Sequence, residues 1–117
     1  MKEKLKKEEL GYKMLKILEK EPEISQRKLS KKLGISLGMI NYLIKELTKK
    51  GLIKVENFKK SNNKLAYRYL LTPKGIEKKI KLTYQFLKRK IIEYNTLQGE
   101  IEALKKEIKE IKGGENA

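Results

Sequence analysis

Two serines, Ser25 and Ser36, introduce the same arrangement twice. Each follows an isoleucine (Ile24, Ile35), and four positions later stands an apolar residue, Leu29 or Ile40. A serine in this setting caps the free amide donors that open a helix, while the flanking apolar pair closes as a staple. Each stretch then meets a glycine, Gly34 or Gly51, where a left-handed residue ends a helix cheaply. The spacing therefore predicts a short helix over Gln26–Leu33 and a longer one over Leu37–Lys50, joined by a tight glycine-containing turn. That is a helix-turn-helix over residues 25–50. Upstream, Leu10, Met14, Ile17 and Leu18 recur at helical spacing, predicting a helix over about residues 7–20 that Pro22 stops.

After Gly51 the period changes from helical to alternating. Leu52–Phe58 reads as a half-buried strand and Leu65–Leu71 as its partner, around the polar, cationic turn Lys59-Lys60-Ser61-Asn62-Asn63-Lys64. A hairpin over 52–71 directly after a helix-turn-helix is the winged-helix arrangement. Thr72-Pro73 then opens another helix, with Thr72 as cap, Pro73 in the first turn and Leu71 placed to staple onto Ile76. No proline interrupts the chain from there to Lys112. Apolar residues fall at Ile80, Tyr84, Leu87, Ile91 and Tyr94, and again at Leu97, Ile101, Leu104, Ile108 and Ile111. Such a helix would be about 60 Å long, more than a small domain can cover. Its seam is expected to meet a second copy, giving a homodimer. Two successive steps of three around Tyr94 break the heptad once beside Gly99, where a local bend or rewinding is expected.

The expected architecture is mainly α with a small β-hairpin. Residues 1–72 form a winged helix-turn-helix domain, 73–112 a long dimerisation helix, and 113–117 a disordered tail.

Charge narrows the partner. The 117 residues carry 30 Lys and Arg against 15 acidic residues, a net charge of +15. Residues 25–75 alone hold thirteen basic and two acidic residues, whereas residues 1–24 interleave seven Lys with six Glu. A block of one sign points to a polyanion, double-stranded DNA above all. There is no Cys, His or Trp. That excludes disulfides, thiol switches and Cys nucleophiles, and removes the usual general base and the commonest metal ligand. No catalysis, cofactor or metal site is expected. No apolar run approaches the roughly 20 residues that cross a bilayer, and the N-terminus lacks the apolar stretch of a signal peptide, so a cytoplasmic, non-membrane protein is expected.

If Ile40, Leu43, Ile44 and Leu47 face the core, the second helix of the pair turns Leu37, Gly38, Asn41, Tyr42, Lys45 and Lys49 outward, with Met39 at the boundary. Such a face suits major-groove reading. Asn41 can pair with adenine, Tyr42 offers a hydroxyl and a ring, and Gly38 permits close approach. Ser36 can touch a phosphate at the helix N-terminus, although capping alone explains it. Gln26, Arg27 and Lys28 open the preceding helix as backbone candidates. In the wing, Lys59, Lys60 and Lys64, with Arg68 as a further candidate, can reach phosphates or the minor groove over a turn of Ser61, Asn62 and Asn63. Lys88-Arg89-Lys90 can either reach DNA in a dimer or form the outward face of a coiled coil. Tyr67 and Tyr69 share one strand face and are expected to pack the hairpin on the helices.

The segment Ser25–Ser36, continuing to Leu47 and Gly51-Leu52-Ile53, resembles the winged-helix transcription factors of the MarR type. Leu70-Leu71-Thr72-Pro73-Lys74-Gly75 looks like the end of their wing and the start of the following helix. Ser36–Tyr42, Val55–Phe58 and Asn63-Lys64-Leu65 are similar to the small exopolysaccharide-associated regulators of that type. The likeness covers about residues 10–108. It implies a dimeric, sequence-specific DNA-binding regulator with one helix in the major groove and the wing along the backbone. Two departures stand out: thiol sensing is excluded, and one long C-terminal helix replaces the several terminal helices that form the family's ligand-holding cleft. No residue pattern specifies a small-molecule effector. Two other readings fit the same residues: a non-specific architectural DNA-binding protein, and a winged-helix protein-interaction module.

Overall fold

A computed structural model describes residues 2–60 and 64–115, with the backbone alone at 2–5 and 115. The chain divides into two compact units, Met1–Thr83 and Tyr84–Ala117. In chain order the elements are α1 (Lys2–Lys20), α2 (Gln26–Leu33), α3 (Leu37–Lys49), β1 (Ile53–Lys59), β2 (Leu65–Leu71) and α4 (Pro73–Glu115).

The two serine caps form. Ser25 Oγ accepts from the Lys28 amide at 3.2 Å and Ser36 Oγ from the Met39 amide at 3.1 Å. Gly34 ends α2 at φ +66°, and Gly51 follows α3 at φ +73°. Behind these caps the staples close: Ile24, Leu29 and Ile40 are buried and Ile35 half-buried. The core gathers Met14, Leu15 and Leu18 from α1, Leu29 from α2, four residues of α3, and Leu52, Ile53 and Tyr69 from the wing. Full burial of one such side chain contributes about 1.5–3 kcal/mol, against at most ~1 kcal/mol for an exposed ion pair. This apolar cluster, not the charged surface, holds the domain together.

The wing is one antiparallel pair, with Ile53 opposite Leu71, Val55 opposite Tyr69 and Lys59 opposite Leu65. Tyr69 is its anchor. Its side chain is buried, its amide donates to the Pro22 carbonyl at 2.8 Å, and its hydroxyl accepts from Gln26 Nε2 at 3.4 Å. Tyr67, expected on the same packed face, is 55% exposed instead, because the helices end beneath Tyr69 and leave the outer part of the hairpin uncovered.

α4 begins in a tight clasp. The Thr72 amide donates to the Leu52 carbonyl at 3.1 Å, its hydroxyl donates to the Gly51 carbonyl at 2.5 Å, and the same oxygen accepts from the Gly75 amide at 3.0 Å. A methyl group at Gly75 would lie 1.9 Å from the Leu52 carbonyl oxygen, so this position accepts glycine alone. The clasp fixes the rotation of the helix. Gly75 and Leu82 point inward and are buried, while Lys79 pairs with Glu19 of α1 at 2.5 Å. The expected staple between Leu71 and Ile76 is not what closes this end: Ile76 turns outward and is 43% exposed.

The start of α1 and the end of α4 differ from expectation. α1 starts at Lys2, since Lys, Glu and Leu are good helix formers that extend a helix without an apolar stripe. α4 runs unbroken through Gly99, so the change of heptad phase does not interrupt it. The helix also takes in Gly113 and Gly114 and ends at Glu115, which corrects the expected disorder from residue 113; residues 116–117 lie outside the described residues. From Tyr84 to Gly114 every residue is exposed except Phe86 and Arg89, which are half-buried.

Replacing Gly75 by alanine is expected to lower the unfolding free energy by about 2–3 kcal/mol, as overpacking against backbone does. Urea denaturation of the full chain measures it, and an unchanged midpoint would mean that the helix seats differently.

Candidate nucleic-acid interface

α3 is amphipathic, and its inner side is Ile40, Leu43, Ile44 and Leu47, all buried. The helix wheel then fixes the outer side. Gly38, Tyr42, Lys45 and Lys49 follow at steps of four, three and four, one stripe along the helix, with Asn41 beside it. All are exposed, as are Ser36, Leu37 and Met39 at the N-terminal end. Leu37 is 46% and Met39 41% exposed, more than packing on the core would leave them.

Gly38 is informative because nothing inside the protein needs it. A methyl group there would meet only Ser36 Oγ, at 4.0 Å. Gly75 is required by the fold; Gly38 is not, and glycine in a helix is unfavourable. Its use at the outermost point of the stripe fits close approach by something outside the chain.

Tyr42 carries a neighbour that the sequence did not disclose. Lys7 of α1 reaches it, with Nζ 3.3 Å from the hydroxyl and 5.4 Å from the ring centroid. A third cation, after Lys45 and Lys49, thus joins the stripe across 35 residues of chain. The one carboxylate of α3, Glu46, stands one turn after Tyr42 and lines, with Tyr42, Lys7 and Glu8, a groove of about 450 Å³ floored by Leu15, Leu43, Leu47, Leu52 and Leu82. No residue of the outer stripe is itself acidic, and the two carboxylates lie along its edge at Tyr42.

Around it, Arg27 and Lys28 lie exposed at the start of α2, and Lys59, Lys60 and Lys64 on the wing. The Lys60 amide donates to the Lys64 carbonyl at 2.9 Å, which closes the wing at its tip. Among the described residues no ion pair engages Arg27, Lys28, Lys45, Lys49, Lys59, Lys60 or Lys64. Two other candidates already have partners within the chain. Gln26 is half-buried on the Tyr69 hydroxyl, and Arg68 pairs with Glu23 at 2.8 Å and stacks on Phe58 at 4.7 Å. Asn62 and Asn63, with Ser61, lie outside the described residues.

The seam residues of α4 are all solvent-facing, from Ile101 at 43% to Tyr84 at 69% exposed. Ile80 belongs to the first unit; Tyr84, Leu87, Ile91, Tyr94, Leu97, Ile101, Leu104, Ile108 and Ile111 to the second. Among the described residues no helix is long and apolar enough to cross a membrane, and no group of three or more His, Cys, Asp or Glu could hold a metal ion.

A family described as winged helix-turn-helix DNA-binding matches residues 7–54, from α1 through the start of the wing. The fold is that of a winged helix-turn-helix. Among solved structures it is similar to the adhesin competence repressor of Streptococcus pyogenes, with 20% identity and a TM-score of 0.59 over 76% of this chain and 64% of that one. A zinc-dependent MarR family transcriptional regulator in its Zn(II)-bound state shares 20% identity, with a TM-score of 0.52 over 75% of this chain and 57% of that one. Staphylococcus aureus MarR, in complex with salicylate and kanamycin, shares 21% identity, with a TM-score of 0.51 over 82% and 67%. The chain thus spans less than two thirds of the first two of these proteins. No curated protein matches the chain.

Gly38→Ala is expected to stabilise the isolated protein, by a few tenths to about 1 kcal/mol, since nothing internal opposes the added methyl. A rise in thermal midpoint is the measurement; a fall would show that the glycine serves the fold after all.

Proposed function

We propose that the protein is a non-catalytic, dimeric transcriptional regulator of the MarR type that binds duplex DNA sequence-specifically. The observation that carries this reading is the outer stripe of α3: Gly38, Asn41, Tyr42, Lys45 and Lys49, exposed, cationic and free of carboxylates. An α-helix of this width enters the major groove, where its first turns approach base edges and its later lysines approach phosphates. Asn41 and Tyr42 are the base readers in this account. Arg27, Lys28, Lys45, Lys49 and the wing residues Lys59, Lys60 and Lys64 neutralise the backbone, and the wing lies along it or enters the minor groove. The winged-helix match and the likeness to two MarR proteins support the assignment at the level of the fold. The narrower likeness to exopolysaccharide-associated regulators rests on Ser36–Tyr42 and Val55–Phe58 alone. The zinc dependence of one neighbour is not carried over, because the chain has neither Cys nor His to bind the ion.

The dimer in this reading forms through the exposed seam of α4. A two-fold partner would present two copies of α3 to one duplex and favour an inverted repeat.

The test is selection of bound fragments from sheared genomic DNA near physiological salt. A few enriched sites sharing a short inverted repeat support the regulator. Uniform recovery with a steep salt dependence would replace it with an architectural protein, and no binding at all would favour a protein-interaction module. On an enriched site, Asn41→Ala is expected to cost about 1–3 kcal/mol and to relax preference at one position. Lys45→Gln should weaken all duplexes alike and lower the salt slope by about one. Equal losses on cognate and random DNA for Asn41→Ala would remove it from base reading.

A further inference from the structure

We infer that the exposed seam of α4 pairs with the same seam of a second copy running in the opposite direction, about a two-fold axis beside Leu97. The inference deepens the dimeric part of the proposed function and rests on it. Between Tyr84 and Ile111 the stripe alternates in steps of three and four, except where Tyr94 to Leu97 repeats a three. In an antiparallel coiled coil each position of one seam class faces the other class on the reversed helix. Setting Tyr84 opposite Ile111 of the second copy then places Leu87 on its Ile108, Ile91 on its Leu104 and Tyr94 on its Ile101. The stretch before the phase break meets the stretch after it. The break itself falls next to the axis, where neither half has to continue the other's repeat.

The side chains match this reversal. Each of those layers joins one β-branched isoleucine to one tyrosine or leucine, so every layer mixes a branched with an unbranched partner. Interdigitation of unlike shapes is what dense packing asks for. A parallel pair would instead set Tyr84 on Tyr84 and Tyr94 on Tyr94, two overfilled layers with buried hydroxyls to satisfy. It would also lay Lys88-Arg89-Lys90 beside its own copy, whereas reversal brings one carboxylate, Glu107, to that run alongside Lys105 and Lys106. Parallel pairing does offer Glu100 to Lys105 and Glu107 to Lys112 across the seam, but such solvated pairs contribute little. Among the described residues the seam is uncovered: its residues from Tyr84 to Ile111 are all more than two fifths exposed.

Since the chain has no cysteine, introduced thiols are unique. Full-length Tyr84→Cys and Ile111→Cys, each alone, are expected to resist a short thiol cross-linker, while the two refolded together give a covalent dimer. Self-cross-linking of Tyr84→Cys would overturn the orientation. A dimer in sedimentation that fails to cross-link in the mixture would overturn the pairing of Tyr84 with Ile111. A monomer at all concentrations would overturn the second copy as occupant, and with it the dimeric reading, while DNA binding by α3 is judged separately by the fragment selection. Should Tyr84→Cys not fold, a spin label on Gln85→Cys, off the seam and exposed, gives a second measure. Reversal places the two labels about 40 Å apart along the axis. A distance near the width of two packed helices would overturn it.

Discussion

Leu52 is the knot of the winged-helix unit. Its amide donates to the Leu47 carbonyl and so finishes α3, and its carbonyl accepts from Thr72 at the far end of the wing. Its side chain is buried, and its peptide group lies against Gly75 at the start of α4. One residue thereby ties the end of α3, both feet of the hairpin and the first turn of the long helix. Thr72 doubles the tie through Gly51 and Gly75. The direction in which the wing leaves α3 is set by hydrogen bonds and steric contact in the backbone, where side-chain motion cannot loosen it. A rigid support of this kind keeps an interface of exposed, flexible lysines in one frame.

Charge in this unit serves two separate purposes. Glu19, Glu21 and Glu23, all near the end of α1 or in the loop after it, take Lys79, Lys32 and Arg68 from three other elements. These three of the fifteen acidic residues thus brace the end of α1 and its following loop against α4, α2 and β2. The lysines of the outer stripe and the wing tip have no such partners among the described residues. Unpaired, they keep their full attraction for a polyanion.

What could be read from the sequence was local. Ser25, Ser36, Gly34 and Gly51 act on amides and dihedral angles within a few residues, so the helix pair was legible together with its inner and outer sides. The hairpin was legible for the same reason, from alternation and a polar turn. What could not be read depends on contacts distant along the chain. The rotation of α4 is decided by Gly75 against Leu52, which sent Ile76 outward and Leu82 inward. Lys7 meets Tyr42, and Gln26 meets Tyr69, through packing of whole elements. For the candidate interface this meant that the exposed lysines and the α3 stripe were foreseen. The engagement of Gln26 by Tyr69 and of Arg68 by Glu23 was not, since composition alone does not distinguish a free cation from one already paired.

The bond from Tyr69 to Pro22 has a consequence for solubility. A short hairpin rich in leucine and tyrosine leaves two strand edges open, and an open edge is a template for another chain. On the outer edge of β2 an amide is already taken by Pro22, and proline has a carbonyl to give but no amide to return. The contact therefore stops after one bond instead of growing into a third strand. Glu23 and Arg68 put a pair of charges beside it. The loop after α1 thus works as a doorstop on the β2 side of the sheet, closing one of the two edges through which a copy could zip onto the wing.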